Sequence, residues 1–178
     1  MDTLAKLLIP LQRILDSTRA IDFLGPLALR LYLAPVFWVA GSNKLNSFQD
    51  TAAWFGNPDW GLGLPMPTLM AGLATAAEVG GAVLLVFGLG VRWVSIPLMI
   101  TMLVAIFAVH IQNGWQAVAD PLSAFPPANI DEAVQRLDAA KSLLGEHGNY
   151  DWLTASGNFV ISNNGIEWGV TYFVMLLA

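Results

Sequence analysis

The sequence predicts an all-α fold: a bundle of four transmembrane helices, with an interfacial amphipathic helix before it and a surface helix in the loop before the last span. Three observations predict this fold. Hydrophobic residues make up 56% of the chain and charged residues only 12%, about half the charged share of a soluble domain. Four apolar runs approach or reach membrane length. Most carboxylates and amides lie in two long polar loops, and the whole length of 178 residues fits one domain.

The N-terminal segment, Met1–Thr18, carries leucine and isoleucine at helical spacing with charged residues between them. This pattern predicts an amphipathic helix that lies in the membrane interface, bent at Pro10. The alternative is an N-terminal extension that packs on the bundle.

The predicted spans are about 23–41, 68–90, 93–111 and 165–178, and the polar loops are 42–67 and 112–164. Pro35 is expected to kink the first span, and the sequence FQDTAAWF predicts a short helix in the first loop. In the second loop, Asn129 followed by Glu132 predicts a capping box, and Gly145 is expected to end that helix. The last run rises only roughly 21 Å, so either its helix begins in the loop or the chain continues, and we favour a missing C-terminal piece.

Buried charge is the clearest functional signal. Glu78 lies ten residues into the second span, and Arg30 lies eleven residues before Gly41, where the first span is expected to reach the outer surface. Both therefore lie roughly 15 Å below that surface, and opposite charges at matched depth predict a buried ion pair. The alternative is that Arg30 extends to the interface alone while Glu78 stays protonated. His110 and Lys44 are the next candidate partners.

Small residues surround Glu78 at helical spacing. They are Ala71, Gly72, Ala74, Thr75, Ala76, Gly80, Gly81 and Ala82. Such residues let helices approach closely, so Glu78 is expected to face protein. The stripe is more typical of packing than of a cofactor slot.

A second polar cluster is predicted near the outer surface, where His110, Glu167 and Lys44 fall at the ends of spans. Several tryptophans fall in the same region: Trp54, Trp60, Trp115, Trp152 and Trp168. Tryptophan at this depth is usually an interfacial anchor. The alternative is that Trp54, Trp60, Trp115 and Trp168 line a pocket for a flat-ring ligand such as a quinone.

Composition excludes several chemistries. The net charge of −5 argues against nucleic-acid binding. The absence of cysteine excludes disulfides and thiolate ligation. A bis-histidine haem needs two membrane histidines, and only His110 qualifies. No metal site is expected, because no His, Asp and Glu cluster has ligand spacing, and the helically spaced methionines are more typical of core packing than of copper ligation.

The chain resembles the DoxX family of small four-span membrane proteins. The resemblance rests on LRLYLAPVFWVAGSNKL with Arg30 and Lys44, on AAEVGGAVLLVFGLGVRW with Glu78, and on a third span that ends in His110. The tryptophan-rich first loop and FVISNNGIEW resemble the HvfX-like subgroup, which is found beside genes for modified copper-related peptides. The resemblance implies an accessory membrane subunit of an oxidoreductase or quinol-oxidase-like system.

The sequence thus favours a subunit of a redox or modified-peptide maturation system over an enzyme that acts alone. A quinone is the one cofactor suggested, near Arg30, Glu78 and His110. The alternatives are a small proton-coupled transporter and a purely structural membrane scaffold. Expected partners are the lipid bilayer and membrane or peripheral proteins, with oligomers allowed.

The predicted location is the bacterial inner membrane. Lys6, Arg13, Arg19 and Arg92 would share one face, while most acidic residues lie on the other. The positive-inside rule therefore places both termini in the cytoplasm.

Overall fold

The computed structural model describes Asp16 and residues 18–178. These residues form the α-helices α1 (Leu24–Asn46), α2 (Phe48–Gly56), α3 (Pro67–Phe87), α4 (Val91–Val104), α5 (Ile130–His147), α6 (Tyr150–Leu153) and α7 (Glu167–Leu177). The described part contains no strand, only an isolated bridge between Val118 and Ser162, so the all-helical prediction is confirmed there. The predicted interfacial helix, Met1–Thr18, lies outside the described residues except for Asp16 and Thr18, where a 3-10 turn over Thr18–Ile21 begins.

Three stretches of the described chain are long and apolar enough to cross a membrane: Arg19–Asn46, Pro67–Phe87 and Val91–Asn113. They match the first three predicted spans. The helix α7 has 11 residues, which rise about 16 Å, roughly half the bilayer core. It packs mainly against α4 and, to a smaller extent, α1.

The first span is longer than predicted, because α1 passes Gly41 and ends at Asn46. Gly41 is a packing position within α1. A Cβ there would lie 2.7 Å from Val79 Cγ2 and 3.0 Å from Glu78 Cβ. A glycine at this contact lets α1 and α3 approach closely, so it places Glu78 level with Gly41.

The core of the bundle is apolar and joins four helices. Leu33 and Phe37 of α1 pack with Leu85 of α3, Leu98 of α4 and Leu176 of α7. All five are buried. This core holds the described helices in fixed register, which sets the depth of the polar residues between them.

The predicted short helix in the first loop is α2, and it folds back on the first half of α3. Ala52 and Phe55 of α2 pack against Ala71 of α3. Asn57 then turns the chain, because its Oδ1 accepts hydrogen bonds from the backbone N–H groups of Asp59 and Trp60 at 2.8 and 3.1 Å. One face of the N-terminal half of α3 is thus packed against α2.

The predicted second-loop helix is α5, which runs to His147, two residues beyond Gly145. Its capping box does not form. Asn129 makes no side-chain capping bond, and Glu132 instead accepts from Arg136 Nη2 at 2.6 Å. Arg136, one turn further along the helix, therefore binds the exposed Glu132 carboxylate in place of the backbone N–H that a capping box would use.

Candidate functional site

Glu78 is buried between α1 and α3, with 3% of its surface exposed, and its partner is Lys44. Lys44 Nζ donates to Oε1 at 3.0 Å and to Oε2 at 2.7 Å. Lys44 lies about one turn beyond Gly41 on α1, where the two helices are in close contact. Its side chain is 27% exposed. A half-buried ammonium therefore neutralises a fully buried carboxylate.

The predicted ion pair between Arg30 and Glu78 is wrong. Arg30 Nε donates to Pro26 O at 3.3 Å, and its Nη1 lies against Gly88, at the opposite end of α3 from Pro67. Eleven helical residues separate Arg30 from the level of Gly41, a rise of about 16 Å. Arg30 thus lies at the end of the bundle that holds the α3–α4 turn, far from Glu78.

The third span ends in a π-helical segment, Ala105–His110. The backbone N–H of Ile111 donates to Ile106 O, which is the five-residue spacing of a π-helix. At its end, His110 Nδ1 lies 2.8 Å from Asn164 O. A backbone carbonyl can only accept, so Nδ1 carries a hydrogen and Nε2 is the ring nitrogen left to meet a ligand.

Two loop segments, 112–118 and 162–167, are joined by hydrogen bonds into one frame around His110. Asn163 Nδ2 donates to Asn113 O at 2.7 Å and to Gln116 O at 2.8 Å. The backbone N–H of Gly165 also donates to Gln116 O at 2.8 Å. We call these two segments the loop frame.

Glu167, predicted as a site residue, is part of the loop frame. Its Oε2 accepts from the backbone N–H of Ala117 at 2.9 Å, and its own N–H donates to Trp115 O at 2.9 Å. Glu167 therefore fixes the start of α7 to the loop. It forms no ion pair with Lys44, which is engaged by Glu78.

A cavity of about 350 Å³ lies between this frame and the helices, and we call it the His110 cavity. Its lining is Val36, Phe37, Ala40, Met102, Ala105, His110, Ala117, Val118, Ser162, Asn164, Gly165, Trp168, Gly169 and Tyr172. The indole of Trp168 stacks on the ring of Tyr172 at 6.0 Å between centroids. The cavity thus combines a flat aromatic wall with one imidazole.

Among the predicted aromatic lining residues, only Trp168 lines this cavity. Trp54 packs edge-on against Phe55 in the contact of α2 with α3. Trp60 is exposed beyond the turn at Asn57, and Trp115 contacts Phe125. The prediction of an aromatic lining from Trp54, Trp60 and Trp115 is therefore wrong for the His110 cavity.

The sequence also missed Tyr172 and Asn164. Tyr172 follows Trp168 by four residues, so the two rings share one helix face, and that spacing was a usable signal. Asn164 has φ of 59° and lies in an Asn-Asn-Gly sequence, which is typical of a turn. Its role as the acceptor for His110 depends on a contact across 54 residues.

Comparisons with known proteins find similarity over the first three apolar spans. The DoxX family model matches residues 25–111. A Bacillus subtilis (strain 168) protein named "Putative oxidoreductase CatD" is 32% identical over 97 residues, which cover 54% of this chain and 68% of that protein. The chain belongs to the DoxX family. No solved structure matches it.

The DoxX match contains the whole Lys44–Glu78 pair but only part of the His110 cavity. Lys44 and Glu78 both lie inside residues 25–111. His110 does too, whereas Trp168 and the loop frame lie outside that range. One wall of the His110 cavity is therefore built from the matched DoxX helices and the other from a segment beyond them.

Proposed function

We propose that this DoxX protein is an integral membrane accessory subunit of a redox system, and that the His110 cavity binds a quinone-like ring. One observation carries the proposal: His110 and the stacked pair of Trp168 and Tyr172 line the same cavity. Its volume falls in the range of small-molecule sites, and its mostly apolar lining with few polar groups is typical of them. The relative whose name describes an oxidoreductase supports the same class.

The chemistry of the lining fits such a ring. A bound quinone supplies two-electron redox chemistry coupled to proton transfer. Asn164 O accepts from the Nδ1–H of His110, so Nε2 of the neutral ring is an acceptor and can take the hydrogen bond of a ring hydroxyl. The Trp168 and Tyr172 rings offer the flat apolar surface against which another ring stacks.

Binding of a short-chain ubiquinol analogue tests this proposal. We expect His110→Ala and Trp168→Leu each to weaken binding about fivefold, because each loses an interaction of about 1 kcal/mol. The measurement is the dissociation constant of the purified protein in detergent, from native mass spectrometry.

The matched control is His147→Ala, which removes an exposed histidine on α5. It should leave the dissociation constant unchanged. Equal binding by His110→Ala and the unaltered protein, or no binding at all, would overturn the proposal.

We further propose the cellular setting. Residues 1–178 would form one integral membrane domain, with α7 as part of a fourth span, in a bacterial inner membrane. Arg19 and Arg92 support cytoplasmic termini, because positive residues concentrate on that side. An HvfX-like role in modified-peptide maturation, with membrane or peripheral protein partners, is the more specific form of the accessory role.

A proton-coupled carrier is the second candidate, and the buried Lys44–Glu78 pair favours it. Ionisable residues inside a bundle often mark proton paths. If the protein carries protons, Glu78→Gln should abolish proton flux into proteoliposomes, and Glu132→Gln on exposed α5 should not. Flux at the level of empty liposomes would exclude this candidate. Loss of complex assembly alone in Glu78→Gln would favour a structural scaffold.

A further inference from the structure

The loop that follows the third span changes from apolar to charged along its length. Residues 114–128 contain only one charged residue, Asp120. The next helix, α5, contains six charged residues: Asp131, Glu132, Arg136, Asp138, Lys141 and Glu146. In the uncharged part, Leu122 is 92% exposed and Phe125 is 66% exposed. We call residues 120–125 the apolar turn, and the proposed redox function makes no use of it.

Hydrogen bonds hold the backbone of the apolar turn in place. The side chain of Gln116, which is buried, donates from Nε2 to Asp120 O at 3.1 Å and accepts from the Asp120 N–H at 3.2 Å. The backbone N–H of Leu122 donates to Asp120 Oδ1 at 2.9 Å. The one carboxylate of this part is therefore used within the turn, and Leu122 projects from a backbone that is fixed to the loop frame.

The apolar turn continues the exposed apolar surface of the third span. Phe107 and Ile111, near the end of that span, are 64% and 49% exposed. The span ends at Asn113, and the indole of Trp115, two residues later, lies edge-on to the Phe125 ring at 6.4 Å between centroids. Tryptophan at the end of a span lies at the membrane interface, so the Phe125 ring lies at about the same depth.

From this arrangement we infer that the apolar turn inserts Leu122 and Phe125 into the interfacial region of the bilayer leaflet at this end of the third span. Exposed apolar side chains mark a contact surface, and this one is continuous with the lipid-facing surface of the bundle. The charged helix α5 suits water, so the two parts of the loop divide as an interfacial segment does. The turn follows Ala117 and Val118, which line the His110 cavity, so lipid contact also holds that wall of the cavity at the membrane surface.

A single fluorescent label on the full chain tests the inference. The chain has no cysteine, so Ala124→Cys can carry a nitrobenzoxadiazole group between Leu122 and Phe125 and leave both in place. Ala124 is exposed. In phospholipid nanodiscs we expect blue-shifted emission compared with the same label at Ser142→Cys on exposed α5. Lipids with a nitroxide on an upper acyl carbon should quench the label at residue 124 and not the label at residue 142, because interfacial segments reach about 5–10 Å into the boundary of headgroups and acyl chains.

Two variants of the labelled protein separate the turn from the label itself. Leu122→Asn combined with Phe125→Asn should abolish both the blue shift and the quenching. Both side chains are mostly exposed, so the melting temperature should change little. The matched control is Leu143→Asn, which replaces a leucine of α5 that is 59% exposed and should leave both signals unchanged.

Three outcomes would overturn the inference. Emission typical of water from the label at residue 124 would show that the turn stays outside the membrane. A blue shift without quenching by the nitroxide lipids would show that protein covers the turn, either this chain or a second copy. Equal losses in the Leu143→Asn control and the double variant would show that the signals do not report on Leu122 and Phe125.

Discussion

Replacing Glu78 with alanine is expected to destabilise the protein by roughly 3–5 kcal/mol, because it leaves the Lys44 ammonium, which is only 27% exposed, without a partner at the α1–α3 interface. Both carboxylate oxygens of Glu78 accept from Lys44, and Glu78 itself is almost fully buried. The measurement is the melting temperature in detergent, together with purified yield. Arg30→Ala should have a much smaller effect, since Arg30 lies at a helix end and pairs with no described carboxylate.

Two further variants separate the pair from general effects of charge. Lys44→Met combined with Glu78→Leu should recover part of the lost stability, because apolar residues of similar volume can replace a buried pair. Glu132→Ala breaks the exposed pair with Arg136 and should change stability little. A double variant as unstable as Glu78→Ala, or an Arg30→Ala variant equally unstable, would contradict the assignment of Lys44 as the partner.

The sequence predicted the helices of this fold because hydropathy reports span length directly. The first three spans needed only runs of about 20 apolar residues, and α2 and α5 followed from local helical spacing. Helix ends were less predictable. Glycine is common at helix ends, and Gly41 was predicted to end the first span. In the structure Gly41 packs against Val79 and Glu78 instead, and this contact can be recognised only when the position of α3 is known.

That one misplaced end explains the wrong partner for Glu78. The depth of Arg30 was counted from Gly41, which was predicted to lie at the surface. That count placed Arg30 roughly 15 Å below the surface, which is the depth counted for Glu78. The structure places Gly41 level with Glu78, so Lys44 is the cation within reach. A buried ion pair could be predicted because a lone charge in the membrane is costly. Which cation pairs with Glu78 could not be predicted, because that depends on the register of α1 against α3.

The His110 cavity could be predicted only in part for a similar reason. His110 and Trp168 were visible as polar and aromatic residues at the ends of apolar runs. The loop frame depends on hydrogen bonds between segments about 50 residues apart, such as Asn163 to Asn113. These segments have no periodicity, so nothing local specifies which backbone carbonyl meets which amide.

Gly165→Ala is the second change for which we expect a large effect. Gly165 is buried, and a Cβ there would collide with Gln116 O and lie 2.6 Å from Gly114 O and 2.7 Å from Trp115 O. Backbone oxygens cannot rotate away as a side chain can, so the loop frame must open. Overpacking of this kind typically costs about 1–3 kcal/mol. We expect a lower melting temperature.

The same change should act on the cavity as well as on stability, because Asn164 O holds His110 and Asn164 precedes Gly165. Hydrogen exchange should accelerate at the amides of Gly165, Ile166 and Glu167, which donate across the frame. Gly145→Ala is the control, since a Cβ at Gly145 on α5 meets nothing within 4 Å and alanine favours the helix. Unchanged exchange at these three amides would mean that the frame tolerates the methyl group and that these contacts do not hold His110 in place.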